Sequence, residues 1–559
     1  MNGASDEHGG NAMEGKLARK GDRASDLPAI IWEREWILPV IFGAAGAFII
    51  MLSIIKYGPG ATHASVNYLS ASSSLVKNLS MVQFDGRYFH EYAPLYPILS
   101  AIPILLGMDP LAAGGAINVA AFGLIAGIFL HLQRKMGMRA AIVILGSFLV
   151  LFSKPLFQVS TMAWDTTLLI LFTLLFLYWM GKFLTDGERR GLIIASASAS
   201  LAVLSNYDGA VLIIAGFIVI MLRKGANLKA RLGNLAVFVA ISAAPIGAYL
   251  IRNILRAGYL IGQKGPSAYS LLDNVLHFLS STGNWFFPGF IPSILISAVI
   301  LSFFILVVIL WRKMVNDPSL PDRTRNTVTT AFSVLVIFVI FLLVTRSMIG
   351  MGSLDTKICA PLFIPSLLIF LPGLDRMISG GNSWMRDPRK GVLDQRMQLS
   401  RNGKRRFRMI AFALMVIVIL SAASVGLSSR ILIERGAGGY NTDRWRSSDL
   451  MERIGDMEIN ESAYSNAPDA IYLLLDVKGI ALSPREHLYS STEGTDDMEL
   501  LKEDVANGGP AVLIWFNNVT KGYLIGLPEI EDSFETEIVL KASDGEILRL
   551  LSVKTEEEE

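Results

Sequence analysis

Cysteine is all but missing: Cys359 is the only one in 559 residues, so no disulfide can form within the chain. Any outward-facing part must therefore hold together by packing alone. Charged residues are scarce as well, at 18% against about 25% in a typical soluble domain. Soluble-enzyme motifs are missing too. There is no phosphate-cradling glycine loop, dinucleotide fingerprint, paired-histidine helix or nucleophile elbow, and no internal repeat.

What fills the space is apolar. Hydrophobic residues make up 52% of the chain and mean hydropathy is +0.47, too high for an ordinary water-soluble protein. The apolar residues come in blocks, and a run of roughly 20 crosses a hydrocarbon core of about 30 Å. In lipid such a run is helical, because its backbone polar groups find no water. Eleven stretches read as spans: 36–55, 112–132, 141–157, 166–182, 191–204, 209–222, 233–250, 289–311, 327–345, 356–372 and 409–428. The fold class expected is a polytopic α-helical membrane protein with about eleven crossings and a small C-terminal α/β domain.

Residues 1–34 read as a disordered cytoplasmic tail, polar and Gly-rich, carrying Lys16, Arg19, Lys20 and Arg23. Lys and Arg are richer in the loops that this orientation places in the cytoplasm, with ten between 373 and 408. The net charge of +2 conceals an asymmetry. Residues 436–559 hold 26 acidic and 10 basic residues, a balance of −16, which leaves +18 for the rest. Because the positive charge flanks the spans, orientation explains it and nucleic acid does not.

The domains expected are the tail, a membrane region over 35–429 with long outer loops 56–111 and 251–288, and an acidic soluble α/β region over 430–559. In the first loop SVNYLSASSSLVKNL is a polar helix-like run. The 14-residue PLYPILSAIPILLG is too short to span and reads as re-entrant or interfacial. In the C-terminal region, strands are expected at Ala463–Ser465, Gly479–Leu482 and AVLIWF, and a hairpin in EIVLKASDGEILRLLSV. Helices are expected near 469–475 and 496–505. Three Asn-x-Ser/Thr sites, at Asn78, Asn460 and Asn518, all fall on the expected outer side.

Several runs in order carry a resemblance: SVNYLSASSSLVKNL, FDGRYFHEYAPLYPILSAIPILLGMDPLAAGGAINV, TMAWDTTLLIL, LSNYDGAVLI, YLIRNILRAGYLIGQKGPS, LDTKICAPLFIPSLLI and SNAPDAIYLLL. Together they resemble the GT-C class of membrane glycosyltransferases, in particular relatives of protein O-mannosyltransferases and of the lipid A aminoarabinose transferase. The resemblance covers most of the chain. It implies a sugar passed from a polyprenyl-phosphate donor to an acceptor on the outer face, with membrane lipid as surroundings and the acceptor (glycan, lipid or protein) unassigned.

Such chemistry needs a cation for the lipid phosphate and a carboxylate or imidazole for the acceptor proton. Lys357, Arg252 and Lys264 are the cations expected at the phosphate; the competing reading is an interfacial anchor for Lys357 and Arg252 and a solvated loop residue for Lys264. Asp85, Glu91, Asp165 and His63 are the candidate catalytic groups, with His90, Ser267 and Asp355 as acceptor or loop contacts. Asp165 reads equally as an N-cap and Asp85 as half of an Asp-Gly turn, while Asp208 shares the helix-end ambiguity of Asp355. A divalent metal is left open, with no ligand set assigned. The sequence also departs from the class: where relatives carry a first-loop Asp it has Ala64, and where an arginine is frequent it has Asn206. Alanine accepts no proton, so His63, Asp85 or Glu91 replaces the base, or the chemistry is lost. A catalytically silent lipid- or partner-binding protein and a transporter are the competing readings.

Overall fold

The computed structural model describes residues 34–223, 225–262, 265–286, 292–350, 352–379, 401–457, 462–477, 480–482, 497–519 and 524–554. In chain order the membrane region runs α1 Ile37–Ile54, α2 His63–Asn78, α3 Leu95–Leu105, α4 Pro110–Lys135, α5 Ala140–Leu151, α6 Lys154–Ser160, α7 Thr166–Asp186 and α8 Arg189–Ser205. A 3-10 turn at Tyr207–Gly209 leads into α9 Ala210–Met221. There follow α10 Leu228–Ala257, α11 Leu271–Gly283, α12 Ser293–Val315, α13 Asp322–Met348, α14 Thr356–Cys359, α15 Phe363–Ser379 and α16 Arg401–Arg435.

Each of the eleven expected spans falls on helix. Among the described residues eight helices are long and apolar enough to cross a membrane. A ninth span exists if α5 and α6, bent by 44°, count as one. The bend has a local cause: Ser153 leaves the helix, accepts from the Leu156 amide, and precedes a proline in the first turn of α6. The other two expected spans, on α8 and on Tyr207–Met221, are shorter than 18 residues. The expected eleven thus differs from this count because those segments are short, and α8 is diluted with serine. The run PLYPILSAIPILLG forms α3, of 11 residues, well below spanning length.

The chain is a membrane protein with a C-terminal α/β region. In that region β1 Gly436–Gly438 and β2 Asn441–Thr442 form a small ribbon, followed by α17 Asp443–Arg446, α18 Asp449–Gly455, β3 Ala463–Ser465, α19 Pro468–Leu475 and β4 Ile480–Ala481. The chain ends with α20 Asp497–Gly508, β5 Ala511–Phe516, α21 Leu527–Ser533, β6 Phe534–Ala542 and β7 Gly545–Val553. The main sheet has the order β4-β3-β5-β7-β6, parallel on the β4-β3-β5 side and antiparallel on the other. Alternation along β5 sends Val512, Ile514 and Phe516 into one core with α18 and α19, and Leu513 into a second with α20 and α21. Helices on both faces therefore replace the disulfides this region lacks.

Two attachments hold the C-terminal region against the segment between α1 and α3. Ala61 donates to the Gly438 carbonyl at 3.2 Å and its own carbonyl accepts from Tyr440 at 2.7 Å. The Asn441 amide donates to the carbonyls of Tyr57 (2.6 Å) and Pro59 (2.7 Å). Gly439 lies so close to the Ala61 carbonyl that any β-carbon would overlap it. The second attachment is a side-chain contact between α2 and α19, His63 to Asp469.

Candidate functional site

The site grows from the start of α2. Thr62 caps this helix in a capping box with Ser65, which fixes His63, Asn67 and Tyr68 over its first two turns. The residues before Thr62 are locked to the 160–164 loop: Gly60 donates to Thr161 at 2.9 Å and accepts from Ala163 at 2.8 Å. Asn118 on α4 braces that loop by donating to the carbonyls of Met162 (2.5 Å) and Trp164 (3.1 Å). The Trp164 indole then donates to the Thr62 hydroxyl at 3.0 Å.

Next to Trp164 sits Asp165, 3% exposed. Its carboxylate does not cap α7. Oδ2 instead accepts from the Tyr68 hydroxyl and from the Asn206 amide, both at 2.9 Å. Burial, with the Asp165 charge adding to it, pushes the Tyr68 phenol well above its ordinary pKa, so it stays a neutral donor. Tyr68 is wedged among Phe89, Tyr92 and Tyr96, at 6.1, 5.1 and 5.3 Å between ring centres. The Lys357 ammonium lies 4.8 Å from the centre of the Trp164 ring. Lys357 is half-buried and makes no ion pair among the described residues. A cation over its ring, a buried carboxylate one residue on, and an imidazole adjoining its hydrogen-bond partner Thr62 are therefore tied to Trp164.

Residues 93–249 match the family model described as dolichyl-phosphate-mannose-protein mannosyltransferase. ArnT from Cupriavidus metallidurans in the apo state superposes with TM-score 0.58 at 14% identity, over 91% of this chain and 97% of its own. The chain has the GT-C membrane glycosyltransferase fold. The same bacterial protein bound to undecaprenyl phosphate gives 0.56 at 13% identity with equal coverage. The archaeal oligosaccharyltransferase AglB from Archaeoglobus fulgidus, in complex with an inhibitory peptide and a dolichol-phosphate, gives 0.51 at 13%, over 91% of this chain and 73% of its own. No curated protein matches by sequence. Asp165 and Asn206 lie inside the matched segment, whereas His63 and Lys357 lie outside it.

Within this GT-C fold the other expected residues take different places. Asp85 is held in its own hairpin: Arg87 donates to it from its amide (3.0 Å) and guanidinium (2.6 Å), around Gly86 at φ +86°. His90 donates from Nδ1 to the Tyr88 carbonyl at 2.7 Å and stacks on Tyr259. Glu91 packs against Gly262. Arg252 donates to the Phe89 carbonyl at 2.7 Å and to Asn253 at 3.0 Å. Tyr249 donates to the carbonyls of Phe89 and Tyr92, and Tyr207 to those of His90 and Tyr92. Arg252 thus belongs to a clamp that fixes the 81–93 loop. Ser267 donates to the Arg346 carbonyl at 2.6 Å, and Asp208 pairs with Arg346 at 3.7 Å. Asp355 caps α14 by accepting from the Ile358 amide at 2.9 Å and is exposed. Lys264 lies outside the described residues.

Sequence reasoning assigned no role to Thr62, Trp164 or Asp469, although Trp164 and Asp469 sit in runs that carried the resemblance and Thr62 lies three residues before one. Among the described residues no group of three or more His, Cys, Asp or Glu is placed to hold a metal ion, so no residue here is assigned to one.

Proposed function

We propose that the chain moves a sugar from a polyprenyl-phosphate donor to an acceptor hydroxyl at the outer face of the plasma membrane. In this reading the N-terminal tail (1–34) is cytoplasmic, the membrane region (35–429) builds the site, and the acidic region (430–559) lies outside. The observation that supports it best is the Lys357 cation over Trp164, beside a buried carboxylate, in a fold shared with a protein solved bound to undecaprenyl phosphate.

The acceptor oxygen attacks the anomeric carbon, the bond from that carbon to the phosphate oxygen breaks, and the phosphate leaves with the electron pair. Lys357 meets the charge growing on that phosphate, where a fixed cation in a water-poor site lowers the barrier most. Asp165, next to Trp164 in the chain and with its Oδ2 held by two neutral donors, supplies an anionic wall. That wall suits the positive charge that builds on the sugar.

A second reading, lipid or partner binding without turnover, has specific support. Ala64 offers no base, Asp85 is occupied by Arg87, and Asp165 is buried and already bonded. The two readings separate in the purified full chain in nanodiscs. Lys357→Ala is expected to weaken undecaprenyl phosphate binding roughly 10- to 100-fold, the worth of one charge-assisted hydrogen bond. It should also stop release of undecaprenyl phosphate from its mannosyl and aminoarabinosyl esters. Wild-type binding without any release supports the silent reading. Uptake of sugar into proteoliposomes without covalent product supports transport.

A further inference from the structure

His63 starts α2, one residue before Ala64, and its side chain is 52% exposed. Its two ring nitrogens meet opposite partners. Nδ1 lies 3.1 Å from Oδ2 of Asp469, a carboxylate only 1% exposed. Nε2 lies 3.1 Å from Nδ2 of Asn67. A carboxylate only accepts and an amide nitrogen only donates, so the proton sits on Nδ1 and the lone pair on Nε2. The second carboxylate oxygen of Asp469 accepts from the Ala470 amide at 3.1 Å, which holds it in place. The carbonyl oxygen of Asn67, on a residue 1% exposed, has no hydrogen-bond partner among the described residues. An incoming hydroxyl would take the place of the Asn67 amide at Nε2.

The contact is built from both sides. Phe84 packs edge-on against His63 at 6.0 Å and tilted against Tyr472 of α19 at 5.8 Å, and the 436–441 segment is laced by backbone bonds and the Asn441 side-chain amide to residues 57–61 just before α2. Resting on the transfer reading above, we propose that Asp469, brought by the C-terminal region, positions His63 so that Nε2 takes the acceptor proton. The acceptor oxygen bonds to the anomeric carbon and the phosphate leaves with its electron pair. The hydroxyl proton passes to Nε2, and the imidazolium is paired with Asp469. Asp469 is a positioning residue; His63 stands in for the base that Ala64 cannot supply.

The test uses the full chain in nanodiscs with [15N]histidine, His63→Ala assigning the resonance among the six histidines. Wild type should show the Nδ1–H tautomer at His63, and Asp469→Asn should abolish that preference. With undecaprenyl-phosphate mannose and aminoarabinose as donors, Asp469→Asn and His63→Ala should lower turnover roughly 10²-fold or more. Undecaprenyl phosphate binding should stay within about twofold of wild type, the signature of a defect in proton transfer alone. Added imidazole should restore part of the His63→Ala loss.

An unchanged His63 tautomer in Asp469→Asn overturns the proposal, as does an equal loss of lipid binding and turnover. If Asp469→Asn does not fold, imidazole rescue of His63→Ala decides alone, and its failure overturns the base role. A wild type that binds undecaprenyl phosphate yet never turns over defeats the transfer reading and the base role with it. The tautomer measurement then still decides whether Asp469 orients His63.

Discussion

Tyr68→Phe is the sharpest probe of the buried carboxylate. The substitution removes one oxygen and leaves the ring, which stays packed against Phe89, Tyr92 and Tyr96, so no cavity opens. What is lost is a 2.9 Å hydrogen bond from a 1% exposed phenol to a 3% exposed carboxylate. Hydrogen bonds to a charged group contribute about 1.5–3 kcal/mol, and a buried acceptor deprived of its donor also keeps its desolvation cost. Asn206 remains as a second donor at 2.9 Å, which places the expected loss in the lower half of that range.

Detergent-solubilised membrane proteins tend to unfold irreversibly, so the safe comparison is between variants under one scan rate. The assay is therefore a double-mutant cycle with Asp165→Asn, read from apparent thermal midpoints. In the Asp165→Asn background a neutral amide oxygen accepts from Tyr68, and Tyr68→Phe should cost about 0.5–1.5 kcal/mol. The coupling between the two positions should then be of order 1 kcal/mol. Equal costs in both backgrounds, or a neutral Tyr68→Phe in the wild type, would refute the claim that this phenol holds an ionised carboxylate.

Three further outcomes test other parts of the structure. Gly439→Ala, at φ +62° and against the Ala61 carbonyl, should free the C-terminal region to limited proteolysis, with at least the roughly 1–2 kcal/mol that a left-handed alanine costs. Arg252→Met strips a donor from the Phe89 carbonyl and should raise amide hydrogen exchange across residues 81–93 by an amount equivalent to about 1–3 kcal/mol, while undecaprenyl phosphate affinity stays unchanged if Arg252 acts as a clamp alone. Arg139 and Asp375 pair at 3.5 Å with side chains 8% and 4% exposed; Arg139→Met alone should cost about 3–5 kcal/mol, and the double Arg139→Met with Asp375→Leu should recover most of it, read as apparent midpoints.

The membrane helices were legible because apolar runs and lipid leave one solution; what the runs do not encode is where a helix breaks, as Ser153 and Pro155 break α5 from α6. The β6–β7 hairpin was legible from its turn, since its partners are adjacent in sequence. The order of the other strands was not. Putting β3 between β4 and β5 depends on parallel pairing between segments roughly fifteen to fifty residues apart, which no local pattern records. Among site residues, Asp355 took the capping role that its position suggests, whereas Asp165, at the same kind of position, did not cap. The difference lies in the backbone, extended at Asp355 but already helical at Asp165, which leaves the Asp165 Oδ2 to Tyr68 and Asn206.

The same reasoning explains why Ala64 looked like a loss in the sequence. A one-dimensional comparison asks whether a proton acceptor stands at one position, and there it finds a methyl group. The fold asks instead which groups reach that position. His63 comes from the same helix turn and Asp469 from some 400 residues later. A neutral imidazole with its Nδ1 proton held by a buried carboxylate keeps its Nε2 lone pair directed at the acceptor, and the carboxylate pairs with the cation that forms. An acid in the first loop carries its own charge; a histidine must have that charge supplied by a partner. On the proposed reading the replacement is tied to the docking of the C-terminal region, and a chain cut before residue 436 is expected to keep the lipid-phosphate binding proposed for Lys357 yet lack the oriented base.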